Sequence, residues 1–136
     1  MNPNAEFDVI IYGATGYTGR LVAEYMNNAY GVDGRYKWAM AGRSADKLAA
    51  VRDEIGVPAN VDLIVADASD PASLQSMVAR AKCIISTVGP YCLYGTPLVE
   101  ACAAAGTDYV DLCGEPLWMA DTINKFSETA KQSGAR

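Results

Sequence analysis

The chain has 136 residues, 51% of them apolar and 20% charged, with eleven basic against sixteen acidic residues and a net charge of −5. That length suits one domain with a real core, and the scattered, acid-rich charge argues against a nucleic-acid groove, which needs clustered Lys and Arg. There is no histidine, and Cys83, Cys92, Cys102 and Cys113 form no Cys-x-x-Cys pair; this leaves a metal site without ligands and points to reduced thiols in a cytoplasmic protein.

The first predicted strand is "FDVIIY", residues 7–12, a β-branched run suited to burial on both faces. A helix follows, with Leu21, Val22, Tyr25, Met26 and Ala29 at helical spacing as its inner face. "KWAMAG" (37–42) is the second strand, after which Ser44 caps a helix from 45 to 55 that Gly56 and Pro58 close. "VDLIVAD" (61–67) is the third strand. Asp70 before Pro71 caps the next helix, which turns Leu74, Met77, Val78 and Ala81 inward. "CIISTV" (83–88) is the fourth strand; Thr96-Pro97 repeats the cap-then-proline device, and Gly106 stops that helix. "DYVDLC" (108–113) is the fifth strand. Pro116 then opens a last helix with Leu117, Ala120, Ile123, Phe126 and Ala130 inward, ending at Gly134.

Strands alternating with helices imply an α/β fold of Rossmann type: a doubly wound parallel sheet in the order 3-2-1-4-5, with helices on both faces. The N-terminus does not read as a signal peptide, and Gly89-Pro90 and Gly95-Thr96-Pro97 interrupt the longest uncharged window. A final helix in this alternation would feed a further strand. Residues 1–136 are therefore expected to be the N-terminal dinucleotide-binding domain of a longer, two-domain protein, with the fifth strand left as an edge.

The segment "GATGYTG" joins the first strand to its helix. Gly13, Gly16 and Gly19 allow a sharp turn, an approach of pyrophosphate to bare backbone at a helix N-terminus, and close packing of helix on strand. Thr15 offers a hydroxyl, and Ala14, Tyr17 and Thr18 complete the loop. The alternative for such spacing is a tight turn without a ligand. At the end of the second strand stand Gly42, Arg43 and Ser44, with Lys47 a turn further on and no acid to take the ribose hydroxyls. A guanidinium there matches a 2′-phosphate, so NADP(H) is expected in preference to NAD(H), unless Arg43 is simply a solvated surface residue. Asp67 is expected to flank the adenine, and Thr87, Val88, Gly89, Pro90 and Tyr91 the nicotinamide half. Tyr91 either stacks on that ring, covers it, or packs its own loop. Tyr94 and Glu115 are substrate-side candidates, and a charge at a helix N-terminus explains Glu115 equally well.

The segments "DVIIYGATGYTGRLVAEY", "WAMAGRSADKL" and "STVGPYCLYGTPLVEACAAAGTDYVDLCGE" resemble the N-terminal domain of the saccharopine dehydrogenase family. The likeness is to its saccharopine dehydrogenase-like branch, which includes trans-acting enoyl reductases, and it runs from about residue 7 to 135. The resemblance implies that the parent is an NADP(H)-dependent oxidoreductase acting on a small-molecule substrate. It implies a second α/β domain for substrate contacts and homodimerisation, and cofactor contacts at Gly13, Thr15, Gly16, Tyr17, Thr18 and Arg43. Catalytic residues are not visible, so this stretch by itself is expected to bind cofactor without turnover. A short-chain dehydrogenase is disfavoured because no tyrosine has a lysine four residues on. A non-catalytic NADP(H)-binding redox sensor is the reading from another class, which fold alone does not separate.

Overall fold

The computed structural model describes residues 2–136. A parallel five-stranded sheet with the order β3-β2-β1-β4-β5 runs through the molecule. Its strands are β1 (Phe7–Tyr12), β2 (Trp38–Gly42), β3 (Asp62–Val65), β4 (Ala81–Ser86) and β5 (Asp108–Asp111). The connecting helices are α1 (Tyr17–Tyr30), α2 (Ala45–Glu54), α3 (Pro71–Ala79), α4 (Tyr91–Tyr94), α5 (Thr96–Ala105) and α6 (Pro116–Ser133). The reversal of strand order beside β1 leaves the carboxyl ends of β1, β2 and β4 open to one crevice.

β1 is central, pairing with Trp38–Ala41 on one side and with Ala81–Ser86 on the other. From Val9 to Tyr12 its residues alternate between two cores. Phe7, Ile10 and Tyr12 join Ala39, Ile64, Leu74, Met77, Ile84 and Leu98 on one face; Ile11 joins Ala23, Met26, Met40, Leu48 and Val51 on the other. The first cluster draws on α3 and α5, and the second on α1 and α2, as the two-faced burial of a parallel strand requires.

Capping follows the sequence in two places and departs from it in a third. The Ser44 hydroxyl accepts from the Lys47 N–H, and the Asp70 carboxylate accepts from the N–H groups of Ala72 and Ser73. Thr96 does not cap α5: Gly95 occupies the cap position, and the Thr96 hydroxyl instead accepts from the Trp118 indole N–H at 2.9 Å.

Two helices keep part of their expected inner face, Val22 and Met26 in α1 and Phe126 and Ala130 in α6, but are turned from the rest of it. In α1 the buried residues are Gly19, Ala23 and Met26, while Leu21, Tyr25 and Ala29 are exposed. The closest backbone approach, not the largest side chain, sets that helix's phase. In α6 the inner residues are Trp118 and Thr122, with Leu117 and Ile123 outside; the Trp118 ring packs on Tyr91, 5.5 Å between centroids, and fixes the rotation. Ala81 belongs to β4 rather than to the face of α3, and a single helical turn, α4, stands where a plain loop was expected. On the free side of β5 the Tyr109 N–H donates to the Arg136 carbonyl at 2.8 Å. Among the described residues no helix is long and apolar enough to cross a membrane.

At the foot of the sheet Asp8 accepts from the Lys82 ammonium at 2.7 Å and from the Lys37 N–H at 2.8 Å. The Lys82 contact first, and the Lys37 N–H second, hold the Asp8 carboxyl below its ordinary value. A depressed folded-state value means stability that is fully present above the unfolded carboxyl's value and is lost as pH falls through the folded one. Asp8→Asn should therefore unfold more easily at neutral pH and lose less stability on acidification than the parent chain, measured by denaturant titrations from pH 7 down to pH 3.

Candidate functional site

The glycine loop is built by two contacts that a side chain would destroy. Gly13 has φ +89°, and a Cβ there would lie 2.7 Å from both the Thr87 hydroxyl and a Val88 methyl. Thr87 is what brings the ends of β1 and β4 together: its N–H and hydroxyl both donate to the Tyr12 carbonyl, and the hydroxyl also reaches the Gly13 carbonyl. Gly19 meets the same loop from the helix side, where a Cβ would stand 2.0 Å from the Gly13 carbonyl oxygen. Gly16 is different. Its backbone is ordinary extended chain (φ −77°, ψ 169°), and the nearest atom to a Cβ would be the Gly13 oxygen at 3.4 Å. The protein itself does not require a glycine at 16; the room left there opens onto the crevice.

That crevice has a volume of about 410 Å³, within the roughly 300–1,000 Å³ usual for ligand clefts. It gathers Gly13, Thr15 and Gly16 from the loop, Gly42 and Arg43 from the end of β2, Asp67 after β3, Thr87, Val88 and Gly89 after β4, and Tyr94 from α4. Tyr12, Ala68 and Ser69 also line it and were not anticipated. Tyr12 was legible in principle, being the last strand residue before the first glycine. Arg20 is a further unanticipated residue: its Nε donates to the Thr15 carbonyl while its Nη1 is held by Glu54, 3.1 Å away, which braces the loop against α2.

The other sequence candidates stand around the crevice rather than in its lining. Ala14 is fully buried in the core on the α1 side. Tyr17 is 84% exposed at the start of α1 and Thr18 is half-buried. Ser44 spends its hydroxyl on the Lys47 N–H, and Lys47 is exposed. Pro90 is exposed beyond a cis Gly89–Pro90 bond. Tyr91 is buried, with its hydroxyl donating to the Ser86 carbonyl and its ring against Trp118. Glu115 lies outside the lining, its carboxylate accepting from the N–H groups of Tyr91 (2.6 Å) and Cys92 (3.1 Å).

Electrostatically the crevice is not neutral. Arg43 is exposed and makes no hydrogen bond or ion pair among the described residues, so its guanidinium is available to an anion. The N-terminus of the ten-residue α2 opens beside it, although Asp46 in the first turn opposes an anion there. Asp67 is held as a carboxylate by the N–H and hydroxyl of Ser69, both at 2.8 Å, with Arg43 adding to the effect. Burial first, and the nearby Asp67 charge second, push the Tyr12 hydroxyl up to about 12, so it stays protonated at neutral pH. Among the described residues no cluster of three metal-ligating side chains occurs. A second hollow of about 280 Å³ lies between β5, α5 and α6 and is lined largely by apolar groups such as Cys102, Trp118 and Phe126.

A parallel sheet wound in this order, with a glycine loop at its switch point, defines a dinucleotide-binding domain of Rossmann type. Residues 9–136 match the saccharopine dehydrogenase NADP binding domain, and the chain belongs to that family. A Mycobacterium tuberculosis protein provisionally named a trans-acting enoyl reductase is 52% identical over 132 residues, covering 96% of this chain and 31% of that protein. The trans-acting enoyl reductases of Mycobacterium bovis and Mycobacterium ulcerans are 48% and 46% identical over the same coverage. The chain thus spans 31% of the length of these relatives. Among solved structures, apo saccharopine dehydrogenase (L-Glu forming) from Saccharomyces cerevisiae superposes with a TM-score of 0.69 at 18% identity, over 95% of this chain and 26% of that one. Citrobacter sp. triphenylmethane reductase complexed with NADP(H) gives 0.65 at 20% identity, over 95% and 47%. Both likenesses are of fold.

The two glycines flanking the loop should separate cleanly on substitution. Gly19→Ala drives a methyl into backbone and is expected to cost about 3 kcal/mol or more, or to prevent folding. Gly16→Ala, at a backbone conformation alanine adopts freely, should shift stability by about 1 kcal/mol or less. Chemical denaturation of the two variants beside the parent chain checks both.

Proposed function

We propose that this chain is the cofactor-binding part of a longer oxidoreductase, and that it takes NADP(H) in preference to NAD(H). The observation that carries the reading is the convergence of bare backbone at Gly13–Gly16, the N-terminus of α1, and the unpaired Arg43 guanidinium on one crevice. The fit to a dinucleotide rests on Gly16, where the fold tolerates a Cβ and only an occupant of the crevice would exclude it.

In this reading the backbone N–H groups of the loop and the dipole of α1 receive the pyrophosphate, aided by the Thr15 hydroxyl. Arg43 takes the 2′-phosphate in a forked contact, with α2's first turn behind it. Gly42, Asp67, Ala68 and Ser69 border the adenosine, and Thr87, Val88, Gly89 and Tyr94 border the nicotinamide. Ala14, Tyr17, Thr18, Gly19, Ser44, Lys47, Pro90, Tyr91 and Glu115 support this frame from outside the lining. The nicotinamide, when bound, supplies the hydride chemistry; this chain binds, orients and shields it.

The names of the relatives support an enoyl group as the acceptor of that hydride in the whole protein. In this reading the acid–base groups and a homodimer contact belong to the part of such relatives that this chain does not span. Four free cysteines support a reducing, cytoplasmic setting.

A charged hydrogen bond is worth about 1.5–3 kcal/mol. Arg43→Ala should therefore weaken NADPH binding by about tenfold or more while changing NADH binding little. Calorimetric titration of both cofactors into parent and variant decides it: equal losses would remove Arg43 from the 2′-phosphate, and no heat from either cofactor in the parent would remove the whole reading.

A further inference from the structure

α4 is one turn long, residues Tyr91–Tyr94. A single turn cannot hold itself, because fixing its backbone costs more than its own hydrogen bond returns. No residue of α4 or its cap position supplies a side-chain cap. The missing acceptor arrives from the far side of the sheet edge: Glu115, 24 positions away from Tyr91, accepts from the Tyr91 and Cys92 N–H groups. The Cys92 thiol beside it, together with those two N–H groups, holds the Glu115 carboxyl below its ordinary value.

Glu115 is aimed by a relay of local contacts in "DLCGE". The Tyr109 hydroxyl donates to one oxygen of Asp111, and the other oxygen accepts from the Cys113 N–H. The Cys113 sulfur then accepts from the Glu115 N–H at 3.3 Å. A side chain positioned this carefully, and spent wholly on α4, has a purpose that the crevice lining explains. α4 and the turn before it carry Gly89 and Tyr94 into that lining, while Thr87 pins the other end of the segment to β1. The α4 end runs through Gly95 into α5 and is held by the Glu115 contacts and by the Tyr91 side chain, whose hydroxyl donates to the Ser86 carbonyl and whose ring packs on Trp118.

We propose that Glu115 is the positioning residue for the nicotinamide side of the crevice, acting through the N–H groups of α4 and touching neither cofactor nor substrate. This rests on the cofactor reading above and goes past it, because it separates the two halves of the site. The adenosine half is built by the β1, β2 and β3 ends, where no contact of Glu115 falls; the nicotinamide half includes a turn whose first N–H groups Glu115 caps.

The test compares NADPH with 2′,5′-ADP, which carries the adenosine half only, on the parent chain, Glu115→Ala and Glu115→Gln. Glu115→Ala should weaken NADPH by about tenfold or more while leaving 2′,5′-ADP within about twofold, since a charged double contact is lost at one end of the site only. The fluorescence of the bound reduced nicotinamide should fall toward that of free NADPH. Glu115→Gln keeps one acceptor and sets its NH₂ against the second N–H, so it should fall between the two; if the alanine variant does not fold, the same comparison on glutamine decides. Equal losses for NADPH and 2′,5′-ADP, or no loss of either, would overturn the proposal. A parent chain that fails to bind 2′,5′-ADP would overturn the cofactor reading itself, and this inference with it.

Discussion

A methyl group at Gly19 would sit 2.0 Å from the carbonyl oxygen of Gly13, and that near-contact between helix and strand end governs much of the molecule. It draws the first turn of α1 down onto the end of β1. The helix then has no freedom in rotation: with Gly19 facing the strand, Ala23 and Met26 must follow it inward one and two turns later. The same closeness aims the unpaired N–H groups at the start of α1 across the loop and into the crevice. Arg20, the next residue along, is left in position to hold the Thr15 carbonyl from outside.

The crevice shows how a chain of net charge −5 can offer a place to a polyanion. Net charge sets the far field, but at contact distance fixed dipoles and single side chains decide the sign. Here bare backbone and one guanidinium without a hydrogen bond among the described residues line the opening, while nearby acids accept from the protein's own donors: Asp67 from Ser69, Glu54 from Arg20, Glu115 from α4. The acidic groups are thus spent on the protein's own donors. The Asp67 carboxylate remains in the lining beside Arg43, so the positive character is local to the loop N–H groups and the guanidinium.

Much of this was legible in the sequence. The strands were clear because burial on both faces leaves runs of β-branched and small residues that no other element uses, as in "DVIIY" and "DLIV". Their order followed from alternation with helices and from the position of the glycine loop. Helix rotation was legible only in part in α1 and α6, where Val22, Met26, Phe126 and Ala130 do turn inward. Periodicity favours the largest apolar stripe, yet Leu21, Tyr25, Leu117 and Ile123 are outside while small Gly19 and Ala23 and polar Thr122 are inside. The choice there is made by contacts with residues distant in sequence. The same is true of Thr96, whose local pattern promises a cap but whose hydroxyl is claimed by Trp118 from 22 residues away. Of the crevice lining, Gly13, Thr15, Gly16, Gly42, Arg43, Asp67, Thr87, Val88, Gly89 and Tyr94 were among the sequence candidates, whereas Tyr12, Ala68 and Ser69 were not; nor was Arg20, whose bracing of the loop has no local signature.

The chain has two tryptophans, and the fold gives them unlike surroundings. Trp38 is buried in the core beside α1 and α2, its indole N–H fixed on the Gly31 carbonyl. Trp118 packs on the Tyr91 ring and donates to the Thr96 hydroxyl, where α6 meets α4. Any tilt of that short turn must change the polarity and stacking around one indole and leave the other alone. The native chain thereby carries one indole that reports on α4 and one that reports on the core.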